Sequence, residues 1–123
     1  MEQPTLNFVI PLYNEEAVFH KLVNRINGIM DVSPVTIQVI LVDDGSKDNT
    51  PTLISKLAQI DNRYVAILLS RNFGHQIALT AGLAQVTASE AVMVLDGDLQ
   101  DPPELIHPFH AKLKEGYDVV YAI

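Results

Sequence analysis

Cysteine is absent from the 123 residues, so no disulfide framework, thiolate metal site or thiol nucleophile is available to this chain. Basic residues are scarce. Eight Lys and Arg stand against 15 Asp and Glu, for a formal net charge of -7. Without clustered cations to neutralise phosphates, the chain is not expected to bind nucleic acid. Long hydrophobic runs are missing too. The longest, Val65–Leu69 and Ala91–Leu95, fall far short of the roughly 18 apolar residues that a membrane span needs. The opening Met1-Glu2-Gln3-Pro4 lacks the basic and apolar regions of a secretory signal. No repeat, low-complexity tract or Gly/Ser linker divides the chain, which reads as one unit. What is present is apolar content of 48%, too high for a disordered chain and enough for a buried core.

That apolar content alternates between two patterns. Nearly continuous β-branched runs at Leu6–Ile10, Thr36–Val42, Val65–Leu69, Ala91–Leu95 and Asp118–Ile123 predict strands covered on both faces. Helical spacing separates them. Asn14 reads as the N-cap of a first helix, with Glu15 and Glu16 in its first turn and Val18, Leu22, Ile26 and Ile29 on its apolar face. A second helix opens at Thr50-Pro51, a third covers Gln76–Val86, and a fourth runs from Asp101-Pro102-Pro103-Glu104 to Gly116. The order β-α-β-α-β-α-β-α-β predicts an α/β fold with a mostly parallel sheet, helices on both faces and right-handed crossovers. Phe8, Leu68, Leu79 and Leu83 read as core, whereas His20, His107 and His110 read as surface residues on helices.

In open parallel sheets, ligands sit beyond the carboxyl ends of the strands. Eight of the 15 acids follow strand ends here: Glu15, Glu16, Asp43, Asp44, Asp48, Asp96, Asp98 and Asp101. Like charges gathered at one edge repel unless solvent, donors or a cation compensate; polar turns and helix caps also attract Asp for purely structural reasons. Asp96-Gly97-Asp98 can hold a hard divalent cation with positions open for diphosphate oxygens, and Gln100 adds a carbonyl oxygen. A calcium EF-hand loop is excluded, because Asp101 stands at the sixth place and His107 at the twelfth. In Asp43-Asp44-Gly45-Ser46, a carboxylate can accept from a nucleobase or ribose, or the segment can simply turn the chain into a helix capped by Asp48 or Thr50. Asp43 favours the first role, since a buried strand end is a costly place for an idle charge. Tyr13 either stacks on a base or packs. Arg71 and His75 can each meet phosphate, or Arg71 only neutralises the acids. Dinucleotide, P-loop and nucleophile-elbow signatures are all absent. The acidic pair follows the second strand, not the first as a phosphotransfer receiver requires.

Four segments taken together carry a resemblance. Phe8–Glu16, Val42–Ser46, Asn72–Gln76 with Ala81-Gly82-Leu83, and Asp96–Glu104 resemble family 2 glycosyltransferases of the GT-A fold, most closely the dolichol-phosphate mannosyltransferase and bactoprenol glucosyltransferase branch. The resemblance implies a Rossmann-like fold, with residues 1–123 as the nucleotide-sugar-binding part and the acceptor half and membrane helices absent. It implies transfer, with inversion, of a sugar from a UDP- or GDP-sugar to a polyprenyl phosphate at the cytoplasmic membrane face. Pro11, Tyr13, Glu15, Asp43, Asp44, Asn72, Gly74 and His75 would bind the nucleotide-sugar. Asp96 and Asp98 would be catalytic and, with Gln100, would hold Mg²⁺ or Mn²⁺. An uncovered sheet edge would favour a homo-oligomer. The alternative is a nucleotide- or partner-binding unit with no turnover of its own.

Overall fold

The computed structural model describes residues 3–97, 107, 108, 110 and 111. Four strands, β1 (Leu6–Leu12), β2 (Ile37–Asp43), β3 (Tyr64–Leu68) and β4 (Ala91–Val94), alternate with three helices, α1 (Phe19–Val32), α2 (Thr50–Ile60) and α3 (His75–Leu83). All pairings are parallel and the spatial order is β3-β2-β1-β4. The predicted fourth helix reaches the described residues only at His107, Pro108, His110 and Ala111, which are helical. The fifth strand, Asp98 and Gln100 lie outside them.

Every residue of β1 and β2 is buried, because each strand is covered on both faces. Leu6, Phe8, Ile10 and Leu12 point with Val39 and Leu41 toward one layer, where Phe19, Leu22 and Ile26 of α1 and Ile54 of α2 pack. Val9, Ile40 and Val42 point the other way, against Ala78 of α3. This period-two division makes an unbroken apolar run compatible with two separate cores. Pro11 fits in a central strand because pairing with β4 stops at Val9↔Val94, so no second neighbour seeks its missing N–H.

The chain winds outward from β1 through β2 to β3, then returns to place β4 on the other side of β1. The direction therefore reverses between β1 and β4, and the crevice at their carboxyl ends is the switch point where such sheets take ligands.

Several expectations are corrected. Asn14 is not an N-cap: it adopts φ 53°, a left-handed turn that Asn tolerates, and α1 begins five residues later at Phe19. Glu15 and Glu16 thus belong to a connecting turn, with the Val18 and Phe19 amides donating to their carbonyls. Helix α3 starts at His75 and ends at Leu83, short of Val86. Leu68 and Leu83 are exposed, because each lies at the outer end of its element. His110 is buried, its Nε2 2.7 Å from Glu90 Oε2.

Candidate nucleotide-sugar site

The loops after β1, β2 and β3 are joined side to side. The left-handed turn at Asn14 aims its backbone N–H at Ser46 Oγ (2.8 Å) and its Oδ1 at the Lys47 N–H (2.9 Å). Glu15 N–H donates to Thr50 Oγ1 (3.0 Å) and Glu16 N–H to Asp48 Oδ2 (3.3 Å). Asp48 Oδ1 accepts from both the Thr50 amide (2.9 Å) and its hydroxyl (2.6 Å). Burial raises the Asp48 pKa, but the hydrogen bonds from Thr50 and Glu16 outweigh it and hold the carboxyl below its ordinary value. Asp48, Thr50 and Ser46 therefore brace the loops. The Asp44 N–H continues the ladder to the Leu12 carbonyl (2.9 Å).

Asp44 reaches the third loop. Its Oδ1 accepts from the Phe73 N–H (2.9 Å) and its Oδ2 from Asn72 Nδ2 (3.3 Å). Gly45 adopts φ 70°, and a Cβ there would overlap the Arg71–Asn72 backbone. The Arg71 guanidinium lies 4.4 Å from the centroid of the Phe73 ring, a cation–π contact.

Between these loops lies a cavity of about 290 Å³ lined by Pro11, Leu12, Tyr13, Asp44, Asn72, Gly74 and His75. Six of the eight expected nucleotide-sugar residues meet there. Tyr13 is 41% exposed, so its ring is not committed to packing. Glu15 and Asp43 are not in the lining but adjoin it. Asp43 is in register with Leu12 and is only 2% exposed; its Oδ2 accepts from the Ser46 N–H (3.2 Å), while Oδ1 is buried with no hydrogen-bond partner. Gly97 is packed so closely over the end of β1 that a Cβ would overlap Leu12 Cδ2 and sit 3.5 Å from Glu15 Cγ. The loop after β4 thus crosses the mouth of β1 and brings the exposed Asp96 to the same edge.

A larger cavity of about 530 Å³ lies at the opposite end of the strands, lined by Met30, Val35, Gln38 and Arg63 among others. Its one cation is committed: Arg63 bonds Asp31 (2.9 Å) and Asp61 (2.8 Å). The smaller cavity, at the carboxyl ends of β1 and β2 and adjoining the residue with an unpartnered carboxylate oxygen, is the better candidate.

The family model for glycosyl transferase family 2 matches residues 7–123. The chain belongs to this family. It is 46% identical over 117 residues to the uncharacterized glycosyltransferase YkcC of Bacillus subtilis, covering 95% of this chain and 36% of that protein. A glycosyltransferase of Synechocystis is 44% identical with the same coverage. The chain therefore spans about a third of the length of these curated relatives. Among solved structures, Staphylococcus aureus TarS residues 1–349 in complex with UDP-GlcNAc superposes with a TM-score of 0.73 at 25% identity, over 90% of this chain and 31% of that one. The mannosyltransferase PcManGT from Pyrobaculum calidifontis, in complex with GDP-Man and Mn²⁺, gives a TM-score of 0.69 at 23% identity, over 85% and 30%. The fold is the Rossmann-like GT-A arrangement.

In this family 2 chain, the donors at the β4 end suit a hard divalent cation in kind, since Asp96 offers carboxylate oxygens in an exposed position. The described residues alone contain no group of three or more His, Asp or Glu able to hold a metal. Of the three metal ligands expected from the sequence, only Asp96 is among the described residues; Asp98 and Gln100 lie outside them.

Sequence reasoning did not single out Leu12 or Phe73. Leu12 lines the cavity and underlies Gly97, while the Phe73 amide and ring hold the third loop. A lone leucine at a strand end carries no signal. Phe73 fell inside the Asn72–Gln76 segment of the resemblance, but with no role of its own.

Proposed function

We propose that this chain is the donor-binding part of a metal-dependent, inverting glycosyltransferase that uses a UDP- or GDP-sugar. The observation that carries this reading is Asp43 Oδ1, a buried carboxylate oxygen without a partner beside a cavity lined by Tyr13, Asn72 and His75. Leaving such an atom unpaired costs about 1–3 kcal/mol, and an imide N–H or ribose hydroxyl would satisfy it. Tyr13 offers a face to the base. The structural neighbours solved in complex with UDP, with UDP-GlcNAc and with GDP-Man and Mn²⁺ support a nucleotide-sugar donor.

Asp96, with Asp98 and Gln100, would hold Mg²⁺ or Mn²⁺ against the donor diphosphate. When bound, such a cation stabilises charge on the leaving nucleoside diphosphate. The acceptor we propose is a polyprenyl phosphate, as in the dolichol-phosphate and bactoprenol branch that the Asp96–Glu104 string resembles. A phosphate monoester has its second pKa near ~6, so at neutral pH it is largely a dianion and needs no dedicated base to attack the anomeric carbon. Such an acceptor would place the whole protein at the cytoplasmic face of a membrane; no helix among the described residues is long and apolar enough to cross one.

Titration calorimetry with UDP and GDP, with and without Mn²⁺, tests the reading. One nucleotide should bind, more tightly with Mn²⁺. Asp43→Asn replaces an acceptor by a donor and should weaken binding by about tenfold or more, while leaving the protein folded. Failure to bind either nucleotide would sink the donor reading, and equal affinity without Mn²⁺ would remove the metal from it. Sugar transfer to a short-chain polyprenyl phosphate checks the acceptor.

A further inference from the structure

Two histidines that the sequence assigns to the surface are tied to the amino-terminal edge of the sheet. His110 is buried, and its Nε2 lies 2.7 Å from Glu90 Oε2. A carboxylate only accepts, so Nε2 carries the proton and donates. His107 Nε2 lies 3.0 Å from Ser33 Oγ, whose own proton goes to the Val35 carbonyl (2.8 Å). His107 therefore donates through Nε2 as well. Both residues are helical, and their spacing puts them on one face. Their partners are fixed by the sheet. Ser33 closes α1, its N–H donating to the Met30 carbonyl. Glu90 immediately precedes β4, and its N–H donates to the Thr5 carbonyl (3.1 Å) at the entry to β1. The same stretch of chain is anchored at its other end. Beyond β4 the exposed Asp96 stands at the carboxyl edge, and Gly97 packs against Leu12 there. The chain thus leaves the Asp96 position at one edge and is caught by His107 and His110 at the other.

We propose that Glu90 and His110, supported by His107 and Ser33, are positioning residues: they clasp the chain that follows Asp96 and so set its affinity for the divalent cation. This rests on the metal reading above. A cation that binds a chain already held at both ends has little left to order, whereas a chain released at one end must be ordered at the expense of binding. A hydrogen bond to a carboxylate is among the strong ones, and burial of the His110 ring shields it from competing water. Neither partner touches the cation. Glu90 and Asp96 flank β4 at opposite ends, separated by roughly 20 Å of extended chain. The clasp therefore acts only through the chain that it holds.

The test combines three measurements on one set of variants. Electron paramagnetic resonance of free Mn²⁺ gives the Mn²⁺ Kd with UDP or GDP saturating, calorimetry gives the nucleotide Kd without Mn²⁺, and amide hydrogen exchange at Ala111 reports the clasp itself. Glu90→Ala, at a half-exposed position that the fold tolerates, should accelerate Ala111 exchange and weaken Mn²⁺ binding about tenfold. Nucleotide affinity without Mn²⁺ should stay within about twofold of wild type. His110→Leu should match Glu90→Ala, while His110→Gln keeps an N–H donor and should return Mn²⁺ binding to within about threefold. Unchanged Mn²⁺ affinity in Glu90→Ala and His110→Leu would overturn the clasp, as would unchanged Ala111 exchange. An equal loss of metal-free nucleotide affinity, or a His110→Gln variant as weak as His110→Leu, would also overturn it, in favour of a merely structural pair. A wild-type protein that binds no Mn²⁺ overturns the metal reading, and the proposal with it.

Discussion

At the amino-terminal edge of the sheet, the buried Asn7 donates to the Gln38 carbonyl (3.0 Å) and accepts from the Thr87 (3.1 Å) and Ala88 (2.8 Å) amides. Arg63 there bonds Asp31 and Asp61, and Tyr64 donates to Asn27 (2.6 Å). At the carboxyl-terminal edge, Asp44 and Asp48 are likewise bonded within the protein, but Asp43 keeps a buried oxygen unpaired, and Tyr13 and Asp96 stay exposed. Both edges are rich in polar groups. They differ in whether those groups are satisfied internally, and polarity left open beside a cavity is what distinguishes a binding edge from a closing one.

The comparison can be broken at either end. The largest effect is expected at the closed edge: Asn7→Leu leaves two amides and a carbonyl without their partner in a fully buried position. It should lower unfolding stability by about 3 kcal/mol, read by urea denaturation, with nucleotide affinity unchanged in the folded protein. At the open edge the pattern should invert. Tyr13→Ala should cost about 1–3 kcal/mol of nucleotide affinity, the range of base–aromatic stacking, with almost no change in stability. Equal effects on stability and binding for either variant would erase the distinction.

The smallest effect compares one acid from each edge. Arg63, through its side-chain hydrogen bond, holds the Asp61 carboxyl below its ordinary value against the opposing effect of burial. At the other edge, burial raises the Asp48 pKa but the Thr50 and Glu16 hydrogen bonds lower it further than burial raises it. A depressed pKa means that the unfolded chain takes up the proton first. The stabilisation is therefore complete well above 3.8 and is lost as pH falls from there through the lowered folded values. Asp61→Asn and Asp48→Asn should each flatten the decline in Tm between about pH 5 and pH 2, by similar small amounts, because neither acid belongs to the open set.

The strands were legible in composition because burial on both faces writes itself as a continuous apolar run; β1 and β2 differ from their expected bounds by one or two residues. Much of the candidate site was legible too, through position. Residues that follow strands must gather at one edge when the strands are parallel, and so Pro11, Tyr13, Asn72, Gly74 and His75 share a cavity. Side-chain partners were not legible. Asn14 reads as a helix cap by its local neighbours, yet its amide and carboxamide oxygen pair with Ser46 and Lys47, more than 30 positions away. His110 reads as a surface residue until Glu90 stands beside it. Leu68 in its apolar run and Leu83 in its helical stretch read as core, but element ends escape the cover that their middles receive.

By itself, the sequence determined the α/β alternation, the family and the edge at which acids collect, because these depend on hydrophobic period and strand direction, properties that a linear pattern carries. Only the tertiary structure decided which acids are open and which are occupied. Asp43 and Asp44 are adjacent, alike in chemistry and both buried. One keeps an unpaired oxygen beside its bond from the Ser46 amide, and the other accepts from Asn72 and Phe73, because folding sets different neighbours against each.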